Sequence, residues 1–198
     1  MKIGVFGGTF NPPHIAHLIL ADEASFQLGL DRLLWILTPD PPHKQGQPIL
    51  PLQDRHDMLA AALAQDLLFE LSRVDIDRPP PHYAVDTMLI LRESHSGAEW
   101  IYLMGGDSLR DLPTWYRPRD FLAACDALAV MRRPGDEVDL EALEGQLPGI
   151  STKVRFIDAP LLEISASMLR DRIARGQPYR YYLLPEVYDL IRERELYR

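Results

Sequence analysis

The chain has 198 residues, enough for one well-buried domain or at most two small ones. Hydrophobic residues at 46% and charged residues at 25% are ordinary for a soluble globular protein, and no run approaches the roughly 20 apolar residues of a membrane helix. The net charge of -8 argues against broad binding to nucleic acid, which needs many phosphate-neutralising Lys and Arg, but leaves room for a local anion site. Met1 to Phe6 reads as the start of a strand and lacks the basic and apolar regions of a signal peptide. The single cysteine, Cys125, excludes an intramolecular disulfide and fits a reducing, cytoplasmic setting.

In chain order, apolar runs predict buried strands over Ile3–Phe6, Leu33–Leu37, Phe69–Val74, Trp100–Met104, Ala127–Met131 and Val154–Ile157. Helical spacing predicts helices over Ile15–Leu28, Arg55–Ala64, Tyr83–Arg92 and Leu140–Leu147. A further helix starts after Ser165, a good N-cap, and ends near Gly176; another runs from about Pro185 to about Arg194. Strands alternating with helices predict an α/β fold: a Rossmann-like doubly wound parallel sheet, one domain over residues 1–198, closed by C-terminal helices. In such a sheet ligands bind at the carboxyl ends of the strands. Loops of that kind are Gly7–Pro13, the Pro-rich Thr38–Pro51, and Arg78–His82 with three consecutive prolines.

The strongest chemical signal is Gly7-Gly8-Thr9-Phe10-Asn11-Pro12-Pro13-His14-Ile15-Ala16-His17, between the first strand and the first helix. Adjacent glycines let backbone N–H groups approach a phosphate, and the helix start favours anions. His14 and His17, three apart, project from one face of the first turn. The same pair could serve zinc, with His43 or His56 as a third ligand, but no carboxylate or Cys cluster accompanies it, so no metal ligand is assigned. The second signal is Ile164-Ser165-Ala166-Ser167-Met168-Leu169-Arg170, a capped helix start carrying a hydroxyl and a forked guanidinium on one face.

In these motifs the chain resembles the bacterial nicotinate-mononucleotide adenylyltransferases of the nucleotidyltransferase superfamily. That family opens with Gly-Gly-Thr-Phe-Asp-Pro-x-His-x-Gly-His and closes with Ile-Ser-x-Thr-x-x-Arg. Between them, Pro41-Pro42-His43-Lys44, Arg55 with Met58, Tyr83 through Thr87, Gly105-x-Asp107, Trp115 and Arg132-Arg133-Pro134-Gly135 follow in the family's order. The tail Leu184-Pro185 through Leu196-Tyr197 is also similar. Here Asn11 stands for the family's Asp, Ala16 for Gly, His82 and Ala84 for Ser and Thr, and Ser167 for Thr.

The resemblance implies a reaction in which the phosphate of nicotinate mononucleotide attacks the α-phosphorus of ATP. His14 and His17 are then expected at the α-phosphate, and Lys44 at the reacting phosphates. Gly7, Gly8, Thr9, Phe10, Ile164 and Ser165 line the ATP site, with Ser167 and Arg170 holding the β- and γ-phosphates. Gly105 and Asp107 take the ribose and Arg133 lies near the adenine. Asn11, Lys44, Tyr83, Thr87 and Trp115 are expected at the mononucleotide, Thr87 beside the pyridine carboxylate and Trp115 stacked on the ring. Magnesium is implied with the triphosphate. No nucleic-acid or membrane partner is expected, and homo-oligomerisation stays open. The runner-up within the superfamily is pantetheine-phosphate adenylyltransferase or a cytidylyltransferase. A dinucleotide-binding redox protein lacks support, since the chain has no Gly-x-Gly-x-x-Gly, and it has no P-loop.

Overall fold

The structure, a computed structural model, describes residues 1–41, 49–131, 138–160 and 162–198. The strands are β1 (Lys2–Gly8), β2 (Arg32–Leu37), β3 (Phe69–Ser72), β4 (Glu99–Gly105), β5 (Ala127–Met131) and β6 (Val154–Ile157). They form one six-stranded sheet in the order β3-β2-β1-β4-β5-β6. Every pairing is parallel. The chain winds outward from β1 in both directions, so the strand order reverses between β1 and β4, the place where such folds bind nucleotides.

The uniform apolar runs follow from burial on both faces. On one face, Ile3, Val5, Leu34, Ile36, Trp100, Tyr102, Leu128 and Val130 share a core. On the other, Phe6, Leu33, Trp35, Leu37, Ile101, Leu103 and Ala129 share a second. Alternate residues of each central strand thus enter opposite cores, and the charged residues Lys2, Arg32 and Glu99 stand at the strand starts.

The helices are α1 (Ile15–Leu28), α2 (Leu52–Leu63), α3 (Ala84–Ser94), α4 (Gly106–Asp111), α5 (Pro118–Ala124), α6 (Leu140–Gln146), α7 (Ile150–Lys153), α8 (Ala166–Ala174) and α9 (Pro185–Glu193). Helix α1 stops at Gly29, whose φ of 61° is the left-handed conformation that caps a helix. Ser165 caps α8 as expected, its hydroxyl accepting from the Met168 N–H at 3.2 Å. Helices α4, α5 and α7 were not foreseen; at 6, 7 and 4 residues they are too short to show helical periodicity. Strand β3 ends at Ser72 and not at Val74, because the chain turns there, with the Asp77 N–H donating to the Arg73 carbonyl.

A third core joins α2 to the C-terminal helices: Met58 and Ala62 meet Leu169, Ile173, Leu183, Val187 and Ile191. This packing carries α8 and the segment after α9 back to the carboxyl end of β1. Among the described residues, no helix is long and apolar enough to cross a membrane.

Candidate active site

The site is built outward from the loop between β1 and α1. A Cβ on Gly7 would stand 2.7 Å from the Tyr102 hydroxyl, and one on Gly8 would stand 2.8 Å from the Phe10 ring. The two glycines are therefore required by what packs over them. Burial raises the Tyr102 phenol above its ordinary pKa, with Cys125 and Asp75 adding to the effect, so it stays neutral. Phe10 has a φ of 45°, an uncommon conformation for a bulky residue. Its ring lies edge-on to Phe6 and His17 and tilted against Trp35, an aromatic cluster that backs the loop.

His14 is the N-cap of α1 and His17 lies in its first turn. The imidazoles stack with centroids 3.6 Å apart. The His14 backbone N–H donates to His17 Nδ1 at 3.2 Å. His14 is 6% exposed, so the pair forms the floor of the helix start, not a surface patch.

Three side chains from distant elements grip the loop. Arg55 of α2 is 1% exposed. Its guanidinium donates to the carbonyls of Thr9, Thr38, Pro39 and Leu50, tying the β1 loop to the loop after β2. Burial lowers its pKa from the usual arginine value, opposed by Tyr197 and Asp40. Arg170 of α8 donates through Nη1 to the Asn11 carbonyl at 2.9 Å. Tyr197, after α9, donates its hydroxyl to Asn11 Oδ1 at 2.7 Å.

The expected triphosphate residues lie together at the start of α8. Ser167 is exposed, its hydroxyl 3.0 Å from that of Ser165. Arg170 spends one nitrogen on Asn11, and its other donors have no protein partner among the described residues. Across the sheet, Gly105 is the N-cap of α4, and a Cβ there would stand 2.5 Å from Asp107 Oδ1. Glycine thus makes room for the Asp107 carboxylate, which is exposed and accepts from the Ser108 N–H at 2.9 Å.

Of the expected mononucleotide residues, Tyr83, Thr87 and Trp115 lie around the start of α3, and Asn11 lies in the loop between β1 and α1. Tyr83, its N-cap, makes no side-chain cap and stacks on Tyr116 with centroids 4.2 Å apart. That stack brings the Trp115–Tyr116 segment beside the helix start. Trp115 is half-buried, packed edge-on to Tyr102 and tilted against Phe121. Thr87 is 3% exposed, and its hydroxyl is 2.7 Å from Asp75 Oδ1 and 3.2 Å from the Tyr83 carbonyl. Asp75 also holds Arg78, which reaches the Pro81 and Tyr83 carbonyls. This buried Asp75–Arg78–Thr87 group shapes the start of α3 from behind. His82 is 7% exposed with Nε2 3.3 Å from the Arg78 carbonyl, so its imidazole is turned into the protein.

Lys44, His43, Arg132 and Arg133 lie outside the described residues. The roles of Arg55, Tyr197, Asp75 and Arg78 as supports of the site were not foreseen. Arg55 and Tyr197 stand in motifs marked by the resemblance, and Arg55 is also a charged residue in line with the buried face of a helix. Among the described residues, no group of three His, Cys, Asp or Glu side chains is arranged to hold a metal ion.

A doubly wound sheet with two helix starts and a histidine pair at its switch point defines a nucleotide-binding α/β protein, and residues 5–172 match the cytidylyltransferase-like family model. A curated protein of Thermomicrobium roseum is 43% identical over all of this chain and 92% of its own length. One of Pelobacter propionicus is 39% identical over all of this chain and 98% of its own. Both carry the description "Probable nicotinate-nucleotide adenylyltransferase". The chain belongs to this adenylyltransferase family. Among solved structures, the Plasmodium falciparum nicotinic acid mononucleotide adenylyltransferase complexed with NaAD superposes with a TM-score of 0.82 at 19% identity, over 99% of this chain and 97% of that one. The same enzyme complexed with APC gives 0.78 at 20% identity, over 99% and 96%. At these identities the likeness speaks for the fold.

Proposed function

We propose that this chain, acting as one domain, transfers the adenylyl group of ATP to the phosphate of nicotinate mononucleotide, giving deamido-NAD and pyrophosphate. The observation that carries this reading is the 2.9 Å bond from Arg170 to the Asn11 carbonyl. It joins the start of α8 to the start of α1, so two anion-binding helix ends face one reaction space. That is what a reaction between two phosphates needs.

A phosphate oxygen of the mononucleotide forms a bond to the α-phosphorus of ATP as the bond to pyrophosphate breaks. The nucleophile belongs to the substrate, so the protein aligns two phosphates and stabilises developing charge. Because Nδ1 of His17 accepts a hydrogen bond, the ring is the neutral form with its proton on Nε2. That Nε2–H is a donor for an α-phosphate oxygen, while the unspent donors of Arg170 serve the leaving pyrophosphate. Lys44, assigned to the reacting phosphates by resemblance, lies outside the described residues, and Asp107 accepts from ribose hydroxyls.

Magnesium bound with the triphosphate would offset its charge. Among the described residues, the donor set at the site offers N–H groups and a guanidinium suited to the oxygens of such a triphosphate. The neutral setting of Cys125, buried with its pKa pushed up to about 12, suits a reducing cytoplasm.

The test is ATP and magnesium with a panel of mononucleotides, scored by product mass. Formation of deamido-NAD from nicotinate mononucleotide is expected. ATP binding with no dinucleotide from any member of the panel would defeat the proposal.

A further inference from the structure

Asn11 is 4% exposed and held at both ends. Its main-chain carbonyl accepts from Arg170 at 2.9 Å, and its side-chain Oδ1 accepts from the Tyr197 hydroxyl at 2.7 Å. The amide nitrogen, on the other branch, has no protein partner among the described residues and is not sealed from solvent. Which branch faces Tyr197 is decided by what surrounds the phenol. Burial dominates and raises the phenol's pKa, so it keeps its proton, with the guanidinium groups of Arg170 and Arg55 opposing. A neutral phenol has that proton to give, and on Asn11 only Oδ1 can accept it. Tyr197 itself has a φ of 66°, a conformation that bulky residues rarely adopt. Tertiary contacts hold it there: Tyr197 packs on the core shared by α2, α8 and α9.

We infer that Tyr197 is a positioning residue for adenylyl transfer: by bonding Oδ1 it fixes the Asn11 amide with its NH2 as the free branch in the loop between β1 and α1. Asn11 then presents a donor at the position where the family carries a carboxylate, which has none. In a loop that receives two polyanions, a fixed donor adds a contact to a phosphate oxygen. A freely turning amide offers its carbonyl oxygen as often as its nitrogen. The inference rests on the adenylyl-transfer reading for its kinetic consequence and on geometry alone for the ordering of the amide.

The experiment uses the full chain with Tyr197→Phe, Asn11→Ala and the double variant, each with its melting temperature, and measures kcat and KM for both substrates. Tyr197→Phe is expected to lower kcat about tenfold, the scale of one hydrogen bond, while KM for the mononucleotide stays within twofold. Asn11→Ala is expected to lose at least as much. The double variant should match Asn11→Ala, because Tyr197 acts through Asn11. A folded Tyr197→Phe enzyme with kcat within twofold of the wild type overturns the inference. So does a Tyr197 loss that recurs in full on the Asn11→Ala background. Relaxation of the Asn11 side-chain amide in 15N-labelled wild-type protein needs neither a variant nor activity. A rigid amide is expected, and an amide as mobile as those of surface side chains overturns the inference. If the wild type makes no dinucleotide, the reaction fails while the relaxation result still decides the role of Tyr197.

Discussion

The backbone N–H of His14 and Nδ1 of His17 are joined by a 3.2 Å hydrogen bond at the first turn of α1. One residue caps the helix and the other accepts that cap's own N–H, so the pair is locked before any substrate binds. The bond also selects the tautomer of His17, and a donor that is fixed in advance needs no reorganisation during the reaction.

Replacing His17 by Ala removes that donor. We expect kcat to fall by at least about a hundredfold, the scale for one lost transition-state donor, with much smaller changes in ATP affinity. Helix α1 should also lose about 1 kcal/mol of stability with its reciprocal cap. Steady-state kinetics beside ATP titration reads both; a kcat near the wild-type value would remove His17 from the mechanism.

Arg170→Ala should weaken ATP far more than the mononucleotide if the donors left over after the Asn11 bond serve the β- and γ-phosphates, as in the proposed reaction. Separate titrations with a non-hydrolysable ATP analogue and with nicotinate mononucleotide distinguish the outcomes. Equal losses for the two ligands would assign Arg170 to loop support alone.

Arg55→Met keeps much of the volume and deletes every bond to the two loops. The carbonyls of Thr9 and Thr38 lose their charged donor in a buried setting, at roughly 1–3 kcal/mol each. In a chain of this size that lowers the melting temperature by very roughly 5–15 °C. Activity should fall as well, since Thr9 lies in the loop that meets the phosphates. A variant with unchanged melting and turnover would show that the staple is dispensable.

The enzyme should prefer the acid mononucleotide to the amide. Helix α3 begins at Ala84 with no side-chain cap, and the Tyr83–Tyr116 stack holds the Trp115 segment next to it. Uncapped N–H groups suit a carboxylate, which only accepts; an amide turns some of its own donors toward them. Each N–H left unpaired costs about 1–3 kcal/mol, giving a preference of roughly tenfold to over a hundredfold. The comparison is kcat/KM for nicotinate and nicotinamide mononucleotide under identical conditions. Equal values would reject this reading of the pocket and leave adenylyl transfer standing.

The sheet was legible because each central strand is buried on both faces, which writes an unbroken apolar run such as Leu33–Leu37 into the chain. The β1 loop was legible because its glycines, prolines and histidines are adjacent. The supports of the site were not, because they are side-chain bonds across 46, 159 and 186 positions, mostly to backbone carbonyls that any residue carries. Thr87 shows the converse: its type and position were visible, but its burial against Asp75 depends on a turn that no local pattern announces.

Those same long separations set an order of events during synthesis. The first loop leaves the ribosome early, with Thr9 and Asn11 exposed and their carbonyls hydrated. Strands β1 through β6 can pair as they emerge, each beside a neighbour already made. The two residues that hold Asn11 come from beyond the last strand. A nascent chain that has just completed β6 therefore holds every strand of the sheet and neither of the residues that grip Asn11.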